Sequence, residues 1–144
     1  MKKINQSVKF ILELEKTQAI LGRRFDSGLG GLGLNEFTIL HNLSIAPGEK
    51  LRRIDLAGKV GLTASGITRL LLPMEKIGLV KSGESENDAR ARYVMIAAGG
   101  KRKLEEAIER MELLLKEILP DEKKEKIQAF SEFLVKIQSQ TYLN

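Results

Sequence analysis

The 144-residue chain has no cysteine and a single histidine, His41. Without cysteine there are no disulfides, no thiolate metal sites and no thiol-based redox sensing. With one imidazole per chain, a zinc site built from several His or Cys ligands is excluded within one molecule. A Ser-His-Asp triad would have to use His41, and no nucleophile-elbow pattern surrounds it. No segment approaches the roughly 20 consecutive apolar residues that a membrane-spanning helix needs. The lysine-rich start, MKKINQSVKFILELEK, lacks a signal-peptide core, because Glu13 and Glu15 interrupt the apolar stretch after Ile11 and Leu12. These absences lead us to expect a cytoplasmic protein with no cofactor, no metal and no enzymatic activity. Catalysis by carboxylates alone is the one enzymatic chemistry left open.

What is present is ordinary for a soluble globular chain of one domain, with 42% hydrophobic and 30% charged residues. The net charge of +5, from 24 basic and 19 acidic residues, favours anionic partners. Its distribution is uneven. Residues 1–33 carry six basic and three acidic residues, residues 34–100 carry nine and seven, and residues 101–144 carry nine of each. The excess therefore lies in the first two thirds, and function is expected there and not in a basic C-terminal tail.

Residues 3–25 are expected to form a helix, with Ile4, Val8, Ile11 and Leu12 near one face. The glycine cluster SGLGGLG should end it and form a flexible connection. A phosphate-cradling loop is disfavoured, because such loops follow a strand and here a charged amphipathic helix precedes the glycines. A second helix is predicted over residues 35–45, capped by Asn35, with Phe37, Leu40 and Leu43 facing a core and Pro47 and Gly48 ending it. His41 falls inside this helix and is read as a partly buried structural residue before any ligand-sensing role.

Residues 51–80 are the most informative. Ile54, Leu56 and Val60 read as the apolar side of a short helix. Gly61 supplies the left-handed residue that stops it, and Leu62 follows as a buried anchor. Thr63 is a suitable N-cap for a further helix. Ala57 is small enough for close approach, and Ile67 is branched and apolar where the angle between the helices must be filled. This is the spacing of a helix-turn-helix. With Ile67, Leu70, Leu71 and Met74 packed inward, the second helix leaves Ala64, Ser65, Thr68 and Arg69 on its other side. Small residues let a helix approach a groove, hydroxyls contact phosphates or bases, and arginine pairs with guanine in bidentate fashion. The bland reading of Ser65 and Thr68 as solvated helix residues stays open. The segment that follows favours the DNA reading. Pro73 is expected to bend this helix between residues 69 and 73, and Gly78 to end it.

Residues 79–81 and 92–96 read as two strands around a polar loop, a β-hairpin. A hairpin directly after a recognition helix is a wing. It carries Arg90 and Arg92, and arginine is favoured in a narrow minor groove. Asp88 is placed to hold Arg90, although an ordinary surface ion pair is equally consistent with their spacing. Glu84 and Glu86 make the wing less basic than a DNA contact would ideally be. Helices are then expected over residues 100–119, with a seam of Leu104, Ile108, Met111, Leu115 and Ile118, and over residues 121–139, with Ile127, Phe130, Leu134 and Ile137 on one stripe. With the first helix, these offer more apolar surface than a small winged domain needs, which suits a partner chain. An intramolecular bundle is the other reading.

Residues 34–99 resemble the MarR-type winged helix-turn-helix regulators. LNEFTILHNL resembles the family's second helix. IDLAGKVGLTASGITRLLLPMEKIGLV resembles its helix-turn-helix and first wing strand, and DARARYVMIAAGG its wing with the helix that follows. The resemblance implies a mainly α fold with a small β-hairpin wing. Residues 1–33 would form the N-terminal dimerisation helix and glycine-rich connection, 34–100 the DNA-binding lobe and 101–144 the C-terminal dimerisation helices, as one continuous domain. It implies a homodimer on a pseudo-palindromic double-stranded operator. Residues 63–77 would enter a major groove, so that Thr63, Ala64, Ser65, Thr68 and Arg69 are the DNA-binding residues there. Arg90, oriented by Asp88, and Arg92 would serve the wing. A repressor released by a small aromatic or anionic effector is the expected regulator, with no membrane partner. Arg52 and Arg53 stand where many members place Ser or Thr, so this helix start is either poorly capped or in contact with phosphate. The alternative function is a winged-helix protein-interaction module that does not bind DNA.

Overall fold

The computed structural model describes residues 1–84 and 92–142. It divides into two units, Met1–Leu114 and Leu115–Asn144. The first helix, α1 (Gln6–Asp26), begins where Asn5 Oδ1 accepts the Val8 N–H at 2.9 Å, a side-chain N-cap. Most of α1 is exposed, including Ile4 just before it and Val8, Ile11 and Leu12 within it, and only Phe25 is buried. The predicted apolar face is therefore present but uncovered by this chain.

The glycine cluster is not the flexible connection that its composition suggested. Leu29 and Leu32 are buried with Phe25, at 1%, 3% and 5% exposure, so apolar residues fasten the loop to the core. Gly30 adopts φ +69, and Lys103 Nζ donates to its carbonyl at 3.2 Å. A Cβ on Gly28 would meet Leu114 Cδ1 at 2.5 Å. Here glycine serves close approach of backbone to a helix, not mobility.

Helix α2 (Leu34–Ile45) carries Ile39, Leu40 and Leu43 into the core, with no accessible surface left on any of them. Phe37 is only half-buried, and Ile39 takes the inward place that was expected for it. Asn35 does not cap this helix. Its N-cap is Gly33, and the Leu34 N–H is taken by Asp26 Oδ1 at 3.0 Å, from eight residues upstream. His41 is exposed, which removes the reading of a partly buried structural histidine.

After a short 3-10 turn (Pro47–Glu49) comes β1 (Lys50–Arg52), then α3 (Arg53–Val60), α4 (Ala64–Lys76), β2 (Val80–Glu84) and β3 (Arg92–Ile96). The sheet has the order β1-β3-β2 and is antiparallel throughout. The expected hairpin is thus present, with a third strand added on the free side of β3. Lys50, Leu51 and Arg52 pair with Met95, Val94 and Tyr93. Val80, Val94 and Ile96 are buried on one side of the sheet, as period-two alternation requires. Lys50 Nζ lies 5.5 Å from the Tyr93 ring centroid on the other side, within cation–π range.

Helix α5 (Ala98–Ile118) buries Gly100, Leu104 and Ala107, while Ile108, Met111, Leu115 and Ile118 of the predicted seam are half-buried. Helix α6 (Lys124–Tyr142) buries no residue and leaves Ile127, Phe130 and Leu134 exposed. Both begin and end within three residues of the expected bounds.

Gly100 and Gly58 separate two uses of glycine. A Cβ on Gly100 would run into the Leu79 carbonyl oxygen and lie 3.0 Å from Ile96 Cγ1 and 3.1 Å from Leu40 Cδ2, whereas one on helical Gly58 meets nothing within 4 Å. Gly100→Ala should lower unfolding free energy by about 1–3 kcal/mol through overpacking. Gly58→Ala should raise it by about 0.4–1 kcal/mol by restricting the unfolded chain. Urea midpoints of the two variants test the pair, and equal shifts would contradict the packing described.

Candidate nucleic-acid interface

The corner between α3 and α4 is a helix-turn-helix built on Gly61. Its backbone is left-handed at φ 73 and ψ 28, and the Leu62 N–H returns to the Ala57 carbonyl at 2.9 Å. That six-to-one bond closes the α3 C-terminus in the Schellman manner. A non-glycine residue at this φ costs roughly 1–2 kcal/mol. Space is not the issue, since a Cβ on Gly61 would touch nothing within 4 Å. Inside the corner, Leu56 and Ala57 of α3 meet the buried face of α4, made by Ile67, Leu71 and Met74. Ile54 is not part of that face. It is 65% exposed, because Leu56 and Ala57 point α3 inward and Ile54 falls on the opposite side. Leu62 and Leu70 are half-buried.

Thr63 caps α4 as expected: its Oγ1 accepts the Gly66 N–H at 3.1 Å and lies 3.2 Å from Ser65 Oγ. The first turn therefore presents two linked hydroxyls. Ala64, Ser65, Thr68 and Arg69 are all exposed; Ser65 and Arg69 lie on the side of α4 away from Ile67, Leu71 and Met74, Thr68 lies on the flank, and Ala64 is exposed in the first turn. Arg69 makes no ion pair among the described residues. The N-terminal end of a helix carries unpaired N–H groups and a partial positive charge, to which Arg69 adds a full one. The whole end is suited to a polyanion. Pro73 lies inside α4, which the sequence expected to bend there, and the helix is continuous from Ala64 to Lys76. Gly78, at φ +79, follows its end.

On the wing, Arg92 is exposed and opens β3, opposite Glu84 in the register. Asp88 and Arg90 lie outside the described residues.

The two arginines before α3 have separate partners. Arg52 is the N-cap position and supplies no capping bond. Instead its Nε and Nη2 donate to the two oxygens of Asp55 at 2.8 and 3.2 Å, a bidentate pair. Arg53 Nη2 donates to Ser82 Oγ at 3.1 Å, a contact across 29 residues that nothing in the local sequence announced. Asp55 occupies the first turn of α3, where a negative charge complements the helix dipole.

Residues 32–91 match the family model described as MarR family. These 60 residues are what the chain shares with the MarR family. Its mainly helical architecture with a small antiparallel sheet is the MarR winged-helix fold. The chain is 22% identical over 117 residues to the HTH-type transcriptional regulator YdgJ of Bacillus subtilis, covering 80% of this chain and 68% of YdgJ. It superposes on the transcriptional regulator BldR of Sulfolobus solfataricus with a TM-score of 0.84 at 29% identity, over 97% of this chain and 99% of BldR. It superposes on a MarR variant from E. coli complexed with operator DNA with a TM-score of 0.79 at 16% identity, over 95% and 99% of the two chains.

Two measurements test the local chemistry of this lobe. Thr63→Ala should cost about 1 kcal/mol, because the Gly66 N–H loses its acceptor; a change below about 0.3 kcal/mol would remove the cap from the account. The hydrogen bond from Arg52, opposed by desolvation and assisted by the Arg52 and Lys59 charges, holds the Asp55 carboxyl below its ordinary value. Its folded value therefore lies under its unfolded one. The resulting stabilisation is present above the unfolded pKa and disappears as pH falls through the folded one. A carbon-detected NMR titration should find Asp55 titrating below an ordinary aspartate, and Arg52→Gln should return it towards the ordinary value.

Proposed function

We propose that this MarR-family chain is a sequence-specific DNA-binding regulator that acts as a homodimer on a pseudo-palindromic duplex. The observation that carries the reading is the two-sidedness of α4. Ile67, Leu71 and Met74 fix one side in the core, Ser65 and Arg69 stand exposed on the other, and Ala64 in the first turn and Thr68 on the flank are exposed as well. A helix held in this way offers its N-terminal end to the major groove, with Thr63, Ala64, Ser65 and Thr68 admitting close approach and Arg69 addressing a base edge. Arg92 and Arg90 serve the minor groove from the wing, and Asp88 orients Arg90. The similar E. coli MarR complexed with operator DNA supports the same use of the fold.

Homodimerisation is supported by the apolar residues that α1 and α6 leave exposed, among them Val8, Ile11, Leu12, Phe130 and Leu134. A soluble chain keeps such surface when a partner covers it. Two copies then present two recognition helices related by a two-fold axis, which requires half-sites about 10 bp apart or a multiple of that. The family relationship extends the reading to a cytoplasmic repressor that releases its operator when a small aromatic or anionic molecule binds. A winged module that contacts other proteins and no DNA is the outcome that would displace this proposal.

The test begins with selection of bound duplexes from a random pool by the intact protein. A palindromic consensus is expected, and its affinity should fall with salt along a log–log slope of about −0.9 per phosphate neutralised. Arg69→Ala should cost about 1–3 kcal/mol on the consensus and relax preference at one position per half-site. An equal loss on every sequence would reassign Arg69 to phosphate, and failure to select any duplex at low salt would favour the protein-interaction module.

A further inference from the structure

Arg53, Ser82 and Glu75 form a chain of contacts that the groove-facing surface does not use. Arg53 opens α3, Ser82 lies on β2, and Glu75 is in the last turn of α4. Arg53 Nη2 donates to Ser82 Oγ at 3.1 Å, and Ser82 Oγ donates to Glu75 Oε2 at 3.1 Å. A serine hydroxyl has one proton to give and lone pairs to receive with. The proton goes to the carboxylate, so the guanidinium fills the accepting side. Cation, hydroxyl and carboxylate are therefore aligned in the order that uses the hydroxyl as acceptor and donor at once.

The geometry ties three elements at one point. Ser82 lies on the same face of β2 as Val80 and is opposite the buried Val94, although Ser82 itself is exposed. The Arg53 side chain is drawn inward: its Nε is buried and has no hydrogen-bond partner among the described residues. A side chain placed to hold phosphate would turn its donors outwards.

We infer that the Arg53–Ser82–Glu75 chain is a strut that fixes the angle between the recognition helix and the wing, with Arg53 a positioning residue and not a phosphate contact. The inference rests on the DNA-binding reading above. The recognition helix and the wing address neighbouring grooves of one duplex, so the angle between them decides whether both engage together. Linked contacts of this kind strengthen binding only when geometry permits simultaneous engagement. The strut therefore acts on the part of the affinity that depends on the wing, and leaves the major-groove contact of α4 intact.

The test uses the full chain and one selected duplex in two lengths, the longer extending under the wing and the shorter confined to the major-groove half-sites. Ser82→Ala and Arg53→Gln should each weaken the longer duplex roughly tenfold and the shorter less than about twofold. The double variant should be no weaker than either single one, because both break the same chain. Ser82→Thr, which keeps the hydroxyl, should retain the unsubstituted ratio between duplexes. Amide hydrogen exchange of the free protein should show β2 opening faster in Ser82→Ala while α2 is unchanged. Equal losses on both duplexes, additive single effects, or unchanged exchange in β2 would overturn the strut. Loss of about one unit of salt slope in Arg53→Gln, with Ser82→Ala silent, would make Arg53 a phosphate contact instead. If the unsubstituted protein selects no duplex, the DNA-binding reading fails and the strut's role with it, whatever the exchange result shows about β2.

Discussion

The left-handed backbone at Gly61, with the Leu62 N–H returned to the Ala57 carbonyl, turns α3 into α4 and sets which faces of the two helices are buried. Ile67 has no accessible surface and Ala57 almost none, so both helices are anchored in the core close to the turn. A larger residue at 57 would push α4 away, and a non-glycine at 61 would strain the chain by more than most surface contacts return. Because Ile67 is fixed inward, Ser65, Thr68 and Arg69 are fixed outward. The exposed set is thus a consequence of the buried one. The function proposed for α4 depends on residues that never touch the duplex.

The sheet extends the same logic to the wing. Val80, Val94 and Ile96 bind it to the core through one side, and Ala97 donates to the Leu79 carbonyl at 2.9 Å where β3 turns into α5. Gly100 then lets α5 lie against that carbonyl. Gly100 has no room for a Cβ beside the Leu79 backbone carbonyl, and Gly28 lies against the Leu114 side chain, so both glycines sit close to α5 or its neighbours. The glycine-rich sequence that resembled a hinge is in this respect a fastening.

Sequence reading succeeded where one residue type satisfies one demand. Gly61 must be left-handed, Thr63 must accept an N–H, and Ile67 must fill a corner, so each leaves a signature at a fixed spacing. It failed where burial is decided by a neighbour distant in the chain. Ile54 is apolar at a plausible helical spacing, but Leu56 and Ala57 settle the orientation of α3. Asn35 is a good cap in isolation, yet Asp26 reaches the same helix end from the preceding turn. Strand β1 is three residues, two of them basic, too short and too charged to show alternation, and it exists because β3 supplies its partner. The Arg53–Ser82 contact spans 29 positions and has no local pattern at all. The expected departure at Arg52 and Arg53 was visible, but its consequence, one pair within α3 and one link to the wing, needed the tertiary arrangement.

The central claim is that two copies of this chain present paired recognition helices to one face of a duplex. Hydroxyl-radical footprinting of the homodimer on a selected duplex tests it most directly. The account predicts two protected segments related by two-fold symmetry, centred about 10 bp or a multiple of that apart. A single unpaired footprint, or none at low ionic strength, would contradict it.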